Sequence, residues 1–163
     1  MSLDKICNLY ASEFHFCTAL MSFIDKNVET DKEVINIFEK DLEKSIKTLI
    51  EKTEIDEGLK ENLLKINWNR KDIDINLEKE MQSFANEKEK IIFINGNVNY
   101  INTMDEIIEK WINKNKLDKN RIKIVHCYNI DEVKNNLSSI MELYPKILNV
   151  SGEHSIKKFY SYN

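Results

Sequence analysis

The chain has 163 residues, of which 42% are hydrophobic and 32% charged, and its formal net charge is −4. This length and composition fit a globular protein of one domain, with or without a helical extension, and exclude a disordered chain. No run is long and apolar enough to cross a bilayer, and no basic segment followed by an apolar stretch marks a signal peptide. We therefore expect a cytoplasmic protein without a membrane partner.

The cysteines and the distribution of charge bear on two further questions, whether the chain forms disulfides and whether it binds nucleic acid. Cys7, Cys17 and Cys127 form no C-x-x-C pair, and their odd number argues against a disulfide framework. Residues 1–89 contain 13 basic and 20 acidic side chains, whereas residues 90–163 contain 11 and 8. The acidic first part argues against nucleic acid as a partner.

The spacing of apolar residues predicts helices throughout residues 1–89. A first helix is expected from Leu3 to about Asn27, because its apolar residues alternate at intervals of four and three. These residues are Leu3, Cys7, Tyr10, Phe14, Cys17, Met21 and Ile24. Thr30-Asp31-Lys32-Glu33 has the pattern of a capping box and predicts the start of a second helix, so that the two form an antiparallel hairpin.

Two further helices are expected over Asp56 to Trp68 and Asp74 to about Asn86. The first helix is apolar on more than one side, and a short chain covers such a helix with difficulty. The pattern therefore predicts that this helix contacts a protein partner or a second copy of the chain.

After residue 90 the pattern changes to short apolar runs separated by helix-like stretches. The runs at residues 91–94, 122–125 and 147–150 predict strands. Caps at Thr103 and Asn129 predict the starts of two intervening helices, and Pro145 ends the second. The tail from Ile156 to Tyr162 is interpreted as a short edge strand.

These elements predict a helix-rich α/β fold. An N-terminal helical hairpin and further helices pack on a small, mostly parallel sheet of three or four strands of βαβαβ type. Residues 1–89 form the helical region and residues 90–163 the small α/β region, and we expect the two to fold as one cooperative unit.

Any ligand site is expected where the strands of this sheet end, because open α/β sheets bind ligands beyond the carboxyl ends of their strands. The segments in question are residues 95–97, 126–129 and 151–155. The candidate ligand-binding residues are Asn95, Gly96, Asn97, His126, Asn129, Ser151 and Glu153.

Two catalytic interpretations use the same segments. In the first, Cys127 is a nucleophile and His154 its base, which requires the imidazole within hydrogen-bond reach of the sulfur. In the second, His126, Cys127, Glu153 and His154 bind zinc. Adjacent residues on a strand point to opposite faces, and the spacing matches no known ligand pattern, so we expect no metal site.

Nucleotide cofactors are disfavoured. The sequence contains no G-x-G-x-x-G or G-x-x-x-x-G-K-[ST] motif, and the predicted helix starts carry Asp105, Glu106, Asp131 and Glu132, which repel phosphate. We therefore expect no cofactor.

Two functions remain open. The first is a non-enzymatic binding or regulatory module with a protein-contact helical face and a small-ligand pocket at the strand ends. The alternative is a small thiol- or metal-dependent enzyme centred on Cys127 and His154.

Overall fold

The computed structural model describes residues 2–27, 32–71, 77, 81–82, 87–149 and 151–156. The strands in these ranges are β1 (Asp4–Tyr10), β2 (Glu33–Phe38), β3 (Lys90–Asn95), β4 (Ile122–Asn129), β5 (Lys146–Asn149) and β6 (Gly152–Ser155). The helices are α1 (Glu13–Asn27), α2 (Glu43–Lys52), α3 (Glu57–Lys65), α4 (Val98–Lys114), α5 (Ile130–Val133) and α6 (Leu137–Met141). Two 3-10 turns span Lys119–Arg121 and Lys134–Asn136.

The strands form one sheet in the order β2-β3-β4-β1-β5-β6. The first five in this order are parallel to one another, and β6 is antiparallel to β5. β1 pairs with β4 along its whole length, from Asp4 opposite Lys123 to Tyr10 opposite Asn129. The prediction of a mostly parallel α/β sheet is confirmed, but the described residues form six strands instead of three or four.

Helices cover both faces of the sheet, and each face has its own hydrophobic core. α1, α2 and α3 lie on one face, whereas α4, α5 and α6 lie on the other. Consecutive residues of the central strand serve opposite cores: Ile6 packs toward α1, and Cys7 packs toward α4. This alternation follows from the two-residue period of a strand.

The predicted first helix is wrong over its first third. Asp4–Tyr10 is a central strand, and helix α1 begins only at Glu13. Ile6, Cys7 and Asn8 are all buried, because β1 is covered on both faces. A short strand of this kind does not alternate between apolar and polar residues, and periodicity alone does not distinguish it from part of a buried helix.

The predicted helical hairpin is wrong for the same reason. Glu33–Phe38 is strand β2, whereas Thr30 and Asp31 of the predicted capping box lie outside the described residues. Both regions of the predicted division, 1–89 and 90–163, contribute strands to the sheet. Their cooperative unfolding stays a prediction.

The remaining predictions mostly agree with the structure. β3, β4 and β5 match the predicted strands, with Val150 outside the described residues, and α3 lies within the predicted helix over 56–68. Of the predicted helix over 74–86, only residues 77, 81 and 82 are described. The predicted edge strand over 156–162 lies outside the described residues except for Ile156, and β6, the edge strand beside β5, ends at Ser155.

One of the two predicted helix caps is present in the structure and the other is not. Asn129 precedes α5 and its side chain accepts a hydrogen bond from the Asp131 N–H, as predicted. Thr103, however, lies inside α4, where its hydroxyl donates to the Asn99 carbonyl, and the helix is capped at Asn97 instead. No helix in the described ranges is long and apolar enough to span a membrane.

Candidate ligand cleft at the carboxyl edge of the sheet

A cleft opens at the edge of the sheet where β1, β2, β3 and β4 end side by side, and its volume is about 70 Å³. Helix α1 leaves β1 toward one face of the sheet, whereas α4 leaves β3 toward the other. Turns that diverge in this way open a crevice at the carboxyl edge of a parallel sheet. The cleft is lined by Tyr10, Glu13, Phe16, Phe38, Glu39, Lys40, Leu42, Asn95, Gly96, Asn97, Asn129 and Glu132.

The structure brings together four of the seven predicted ligand-binding residues. Asn95, Gly96, Asn97 and Asn129 all line the cleft, because β3 and β4 are parallel neighbours that end at the same edge of the sheet. The other three, His126, Ser151 and Glu153, do not line it.

Glu39 fixes the turn that enters α4. Its Oε2 accepts a hydrogen bond from the Asn97 N–H at 2.7 Å, and its Oε1 accepts from the Asn97 side-chain amide at 3.0 Å. The Asn97 Oδ1 in turn accepts from the Tyr100 N–H at 2.8 Å, which caps the helix. A carboxylate of the chain itself therefore occupies the positive end of α4.

This turn requires glycine at position 96 because neighbouring side chains approach its Cα closely, and not because its φ is positive. A Cβ added at this position would lie 2.5 Å from Tyr100 Cδ1 and 2.7 Å from Glu39 Oε2. Among the described glycines only Gly152 has a positive φ, at 112°. The bare backbone of Gly96 thus lets the Glu39 carboxylate reach Asn97.

Aromatic rings form the wall of the cleft on the α1 side. The ring centroids of Tyr10 and Phe16 are 5.1 Å apart, and Phe16 meets Phe38 edge to face at 5.6 Å. The Tyr10 hydroxyl donates to Asn95 Oδ1 at 2.7 Å, so that the half-buried ring stands between β1 and β3. The wall continues into the hydrophobic core, where Phe16 and Phe38 are buried.

The electrostatic character of the cleft is negative. Glu13, Glu39 and Glu132 line it, and Lys40 is the one basic side chain among its described lining residues. Burial raises the pKa of the Tyr10 phenol, and the charges of Glu132 and Glu13 raise it further.

The chain itself already pairs some of the N–H groups at the helix starts around the cleft. At the start of α1, the Ala11 N–H donates to His15 Nδ1 at 3.1 Å and the His15 N–H donates to Ser12 Oγ at 3.2 Å. At the start of α4, Glu39 accepts a hydrogen bond from the Asn97 N–H. An anion is therefore disfavoured here both by the occupied N–H groups and by the surrounding carboxylates.

His126 belongs to a buried polar network on the α4 face instead. Its Nε2 lies 2.9 Å from Asp105 Oδ1 and its Nδ1 lies 2.7 Å from the Tyr144 hydroxyl. Burial alone would raise the pKa of Asp105, but its contacts with His126 and Lys5 hold it below the usual value. An ionised carboxylate only accepts hydrogen bonds, so His126 Nε2 is the donor in its contact with Asp105.

Cys127 faces the opposite core and lacks the environment of a nucleophile. The side chain is fully buried on the α1 face, and this burial raises the pKa of the thiol well above its ordinary value. A catalytic thiol requires a shift in the other direction.

His154 lies on β6, far from Cys127. In the sheet, β1 and β5 stand between β4 and β6, so the two backbones are separated by three strand spacings, roughly 14 Å. His154 Nε2 instead meets the Ser151 hydroxyl at 2.7 Å, and Glu153 pairs with Lys123. The hypotheses of a Cys127–His154 catalytic pair and of a zinc site joining β4 to β6 are therefore wrong in their geometry.

Sequence reasoning missed the residues that give the cleft its charge and its aromatic wall. Tyr10 and Glu13 fall inside the predicted first helix, and Glu39 falls inside the predicted second helix. The sequence does contain a signal for them, because a turn follows each short apolar run, at Ala11 and at Glu39. Had the two runs been assigned as strands β1 and β2, these turns would have been placed at the carboxyl edge of the sheet.

In the ranges that the structure describes, no group of three or more His, Cys, Asp or Glu side chains is placed to hold a metal ion. Comparisons with protein-family models, with curated proteins and with solved structures find no match to this chain.

Proposed function

We propose that the chain is a non-enzymatic binding module that holds a small organic cation in the carboxyl-edge cleft. The ligand carries a primary ammonium or guanidinium group. The observation behind it is that Glu13 and Glu132 line the same cleft as the half-buried Tyr10, next to an aromatic wall.

The charge of the cleft supports a cation. Three carboxylates and one ammonium line it, which leaves an excess of negative charge at neutral pH. Opposite charges at about 4 Å attract by several kcal/mol where solvent is partly excluded. A cationic ligand also leaves the hydrogen bonds of Glu39 to Asn97 intact, whereas an anion would compete with that carboxylate.

The aromatic wall and the size of the cleft support a small head group. A cation near the face of a tyrosine is stabilised by about 0.5–2 kcal/mol, depending on how far it is desolvated. The volume of about 70 Å³ is well below the roughly 300–1,000 Å³ of pockets that enclose a drug-sized molecule. The cleft therefore fits an ammonium or guanidinium group better than a nucleotide.

Binding is favoured over nucleophilic catalysis by the residues present. No histidine, cysteine or serine is among the described lining residues. Burial raises the pKa of Tyr10, so its phenol stays protonated at neutral pH. The lining thus offers acceptors and an aromatic surface and lacks an activated nucleophile.

Calorimetric titration with benzylamine, and with benzyl alcohol as its uncharged match, tests the proposal. We expect saturable binding of the amine only, weakened about fivefold by Glu132→Gln, because one partly exposed ion pair contributes up to about 1 kcal/mol. Glu106→Gln is the matched control, because it makes the same change at an exposed side chain on α4 outside the cleft. It should leave the affinity unchanged. Equal binding of the alcohol and the amine would refute the proposal.

A further inference from the structure

Two of the four large hydrophobic side chains that are exposed on the described surface lie next to the carboxyl-edge cleft. Phe14 is 51% exposed and directly follows Glu13, whereas Val98 is 38% exposed and directly follows Asn97. Both Glu13 and Asn97 line the cleft. The exposed apolar surface is therefore adjacent to the charged lining.

Each of these two side chains belongs to the first turn of a helix that begins at the cleft. α1 begins at Glu13 and α4 begins at Val98. The Cα–Cβ bond of a helical residue is inclined toward the start of its helix, so Phe14 and Val98 both lean toward the carboxyl edge of the sheet. Because α1 and α4 lie on opposite faces of the sheet, the two side chains flank the cleft from its two sides.

The packing of the described residues does not account for Phe14 and Val98. Neither of the two hydrophobic cores includes them, and neither is among the described side chains that pack against those cores. A single exposed hydrophobic residue is ordinary on a protein surface. Two of them on either side of one cleft instead form an apolar rim around the place where a ligand leaves it.

The cleft itself is too small to enclose a whole organic molecule. Its volume of about 70 Å³ is a small part of the roughly 300–1,000 Å³ that encloses a drug-sized ligand. The carbon skeleton of a larger cation must therefore extend out of the cleft. It passes between the starts of α1 and α4, where it meets the apolar rim of Phe14 and Val98.

We infer that the ligand of this cleft is an amphiphilic amine. Its ammonium group lies in the cleft, and its apolar tail lies across the rim against Phe14 and Val98. The inference rests on the proposed function, because it requires the cation to occupy the cleft. Covering apolar surface raises affinity by up to about fourfold for each methylene group that is fully removed from water.

The charges at the rim favour an apolar tail over a second cationic group. Glu13 is the acidic residue in the first turn of α1, and the first turn of α4 contains none. Glu13 lines the cleft, so its carboxylate serves the first ammonium group. A second ammonium group at the far end of the tail would meet Phe14 and Val98 and would lose part of its hydration there without a counter-charge.

Calorimetric titration with unbranched primary amines from butylamine to octylamine tests the inference. We expect the affinity to rise about twofold for each added methylene group, because the rim covers only part of the tail. Octanol, which has the same tail without the ammonium group, should show no saturable binding. Octanediamine with an ammonium group at each end should bind at least about fivefold more weakly than octylamine.

The double variant Phe14→Ser, Val98→Thr removes the apolar surface of the rim. It should reduce the gain between butylamine and octylamine from more than about tenfold to less than about threefold. Leu143→Ser is the matched control, since Leu143 is 74% exposed and precedes β5 at the opposite edge of the sheet. This control should keep the full gain, and thermal unfolding of each variant verifies folding.

The chain-length series distinguishes a failure of this inference from a failure of the proposed function. Equal affinities of wild-type protein for butylamine and octylamine would overturn the inference and leave the proposed function in place. A gain that persists in the folded double variant, or equal binding of octylamine and octanediamine, would also overturn the inference alone. Saturable binding of octanol as tight as that of octylamine, or no saturable binding of any amine at millimolar concentration, would overturn both.

Discussion

Glu39 and Asn97 join the turn after β2 to the start of α4 through two hydrogen bonds, one from the main-chain N–H and one from the side-chain amide, at 2.7 and 3.0 Å. The contact spans 58 residues of sequence. It closes one side of the carboxyl-edge cleft and uses the end of α4 that would otherwise attract an anion. The geometry of the cleft therefore depends on this pair.

Replacing Glu39 tests this dependence. Glu39→Ala leaves the Asn97 N–H and side-chain amide without their acceptor, and hydrogen bonds to charged groups contribute about 1.5–3 kcal/mol. We expect the free energy of unfolding in urea to fall by about 1.5 kcal/mol. Glu106→Ala on the exposed face of α4 is the control, and an equal loss in both variants would contradict the role given to Glu39.

Gly96 is predicted to tolerate no side chain. Gly96→Ala places a Cβ 2.5 Å from Tyr100 and 2.7 Å from Glu39, and the shifts needed to relieve such overpacking cost typically 1–3 kcal/mol. Gly58→Ala in α3 is the matched control, because its added Cβ meets nothing closer than 3.1 Å and alanine favours a helix. Chemical unfolding should show a loss for the first variant only, and a stable Gly96→Ala protein would show that the turn is looser than described.

Asp105 should make stability depend on pH in the acidic range. Its pKa in the folded chain lies below the usual value, so its contribution is complete above the unfolded pKa of about 3.9 and is lost as the pH falls through the folded pKa. We expect Asp105→Asn to be less stable than the wild type above about pH 5, with the difference shrinking below pH 4. A difference that is constant from pH 3 to pH 7 would show that the carboxylate charge is irrelevant.

The cysteines are predicted to be unreactive in the folded chain. Burial raises the pKa of Cys7 and of Cys17 to about 12, and that of Cys127 well above its ordinary value. Iodoacetamide at neutral pH should therefore alkylate them only as the protein unfolds, because the thiolate is the reactive form. Mass spectrometry measures the rate of alkylation directly. Fast labelling of Cys127 under native conditions would revive a catalytic interpretation.

The sequence predicted the later strands well and the first two poorly. In the sequence, the apolar runs of β3, β4 and β5 stand between stretches of helical period and end at turn residues, so their boundaries are visible. β1 and β2 are short and buried on both faces, and Cys7 and Tyr10 happen to continue the spacing of α1. Local spacing alone does not resolve that ambiguity, because the central position of β1 depends on pairing with β4 more than 100 residues away.

The same error determined how much of the site was predicted. Asn95, Gly96, Asn97 and Asn129 were found because they follow strands that were recognised. Glu39 and Tyr10 were missed because their strands were taken for helices. Self-association through the first helix stays a prediction. The apolar residues of α1 that it used, Cys17, Met21 and Ile24, are buried against the chain itself.

Chemical-shift mapping of the amide resonances during titration with benzylamine locates the residues that contact the cation. We predict saturable shifts confined to Tyr10, Phe14, Glu39, Asn95 to Val98 and Asn129, with none for benzyl alcohol at the same concentration. Shifts centred on the His126 network, or no saturable shift at all, would contradict the assignment of the carboxyl-edge cleft as the binding site.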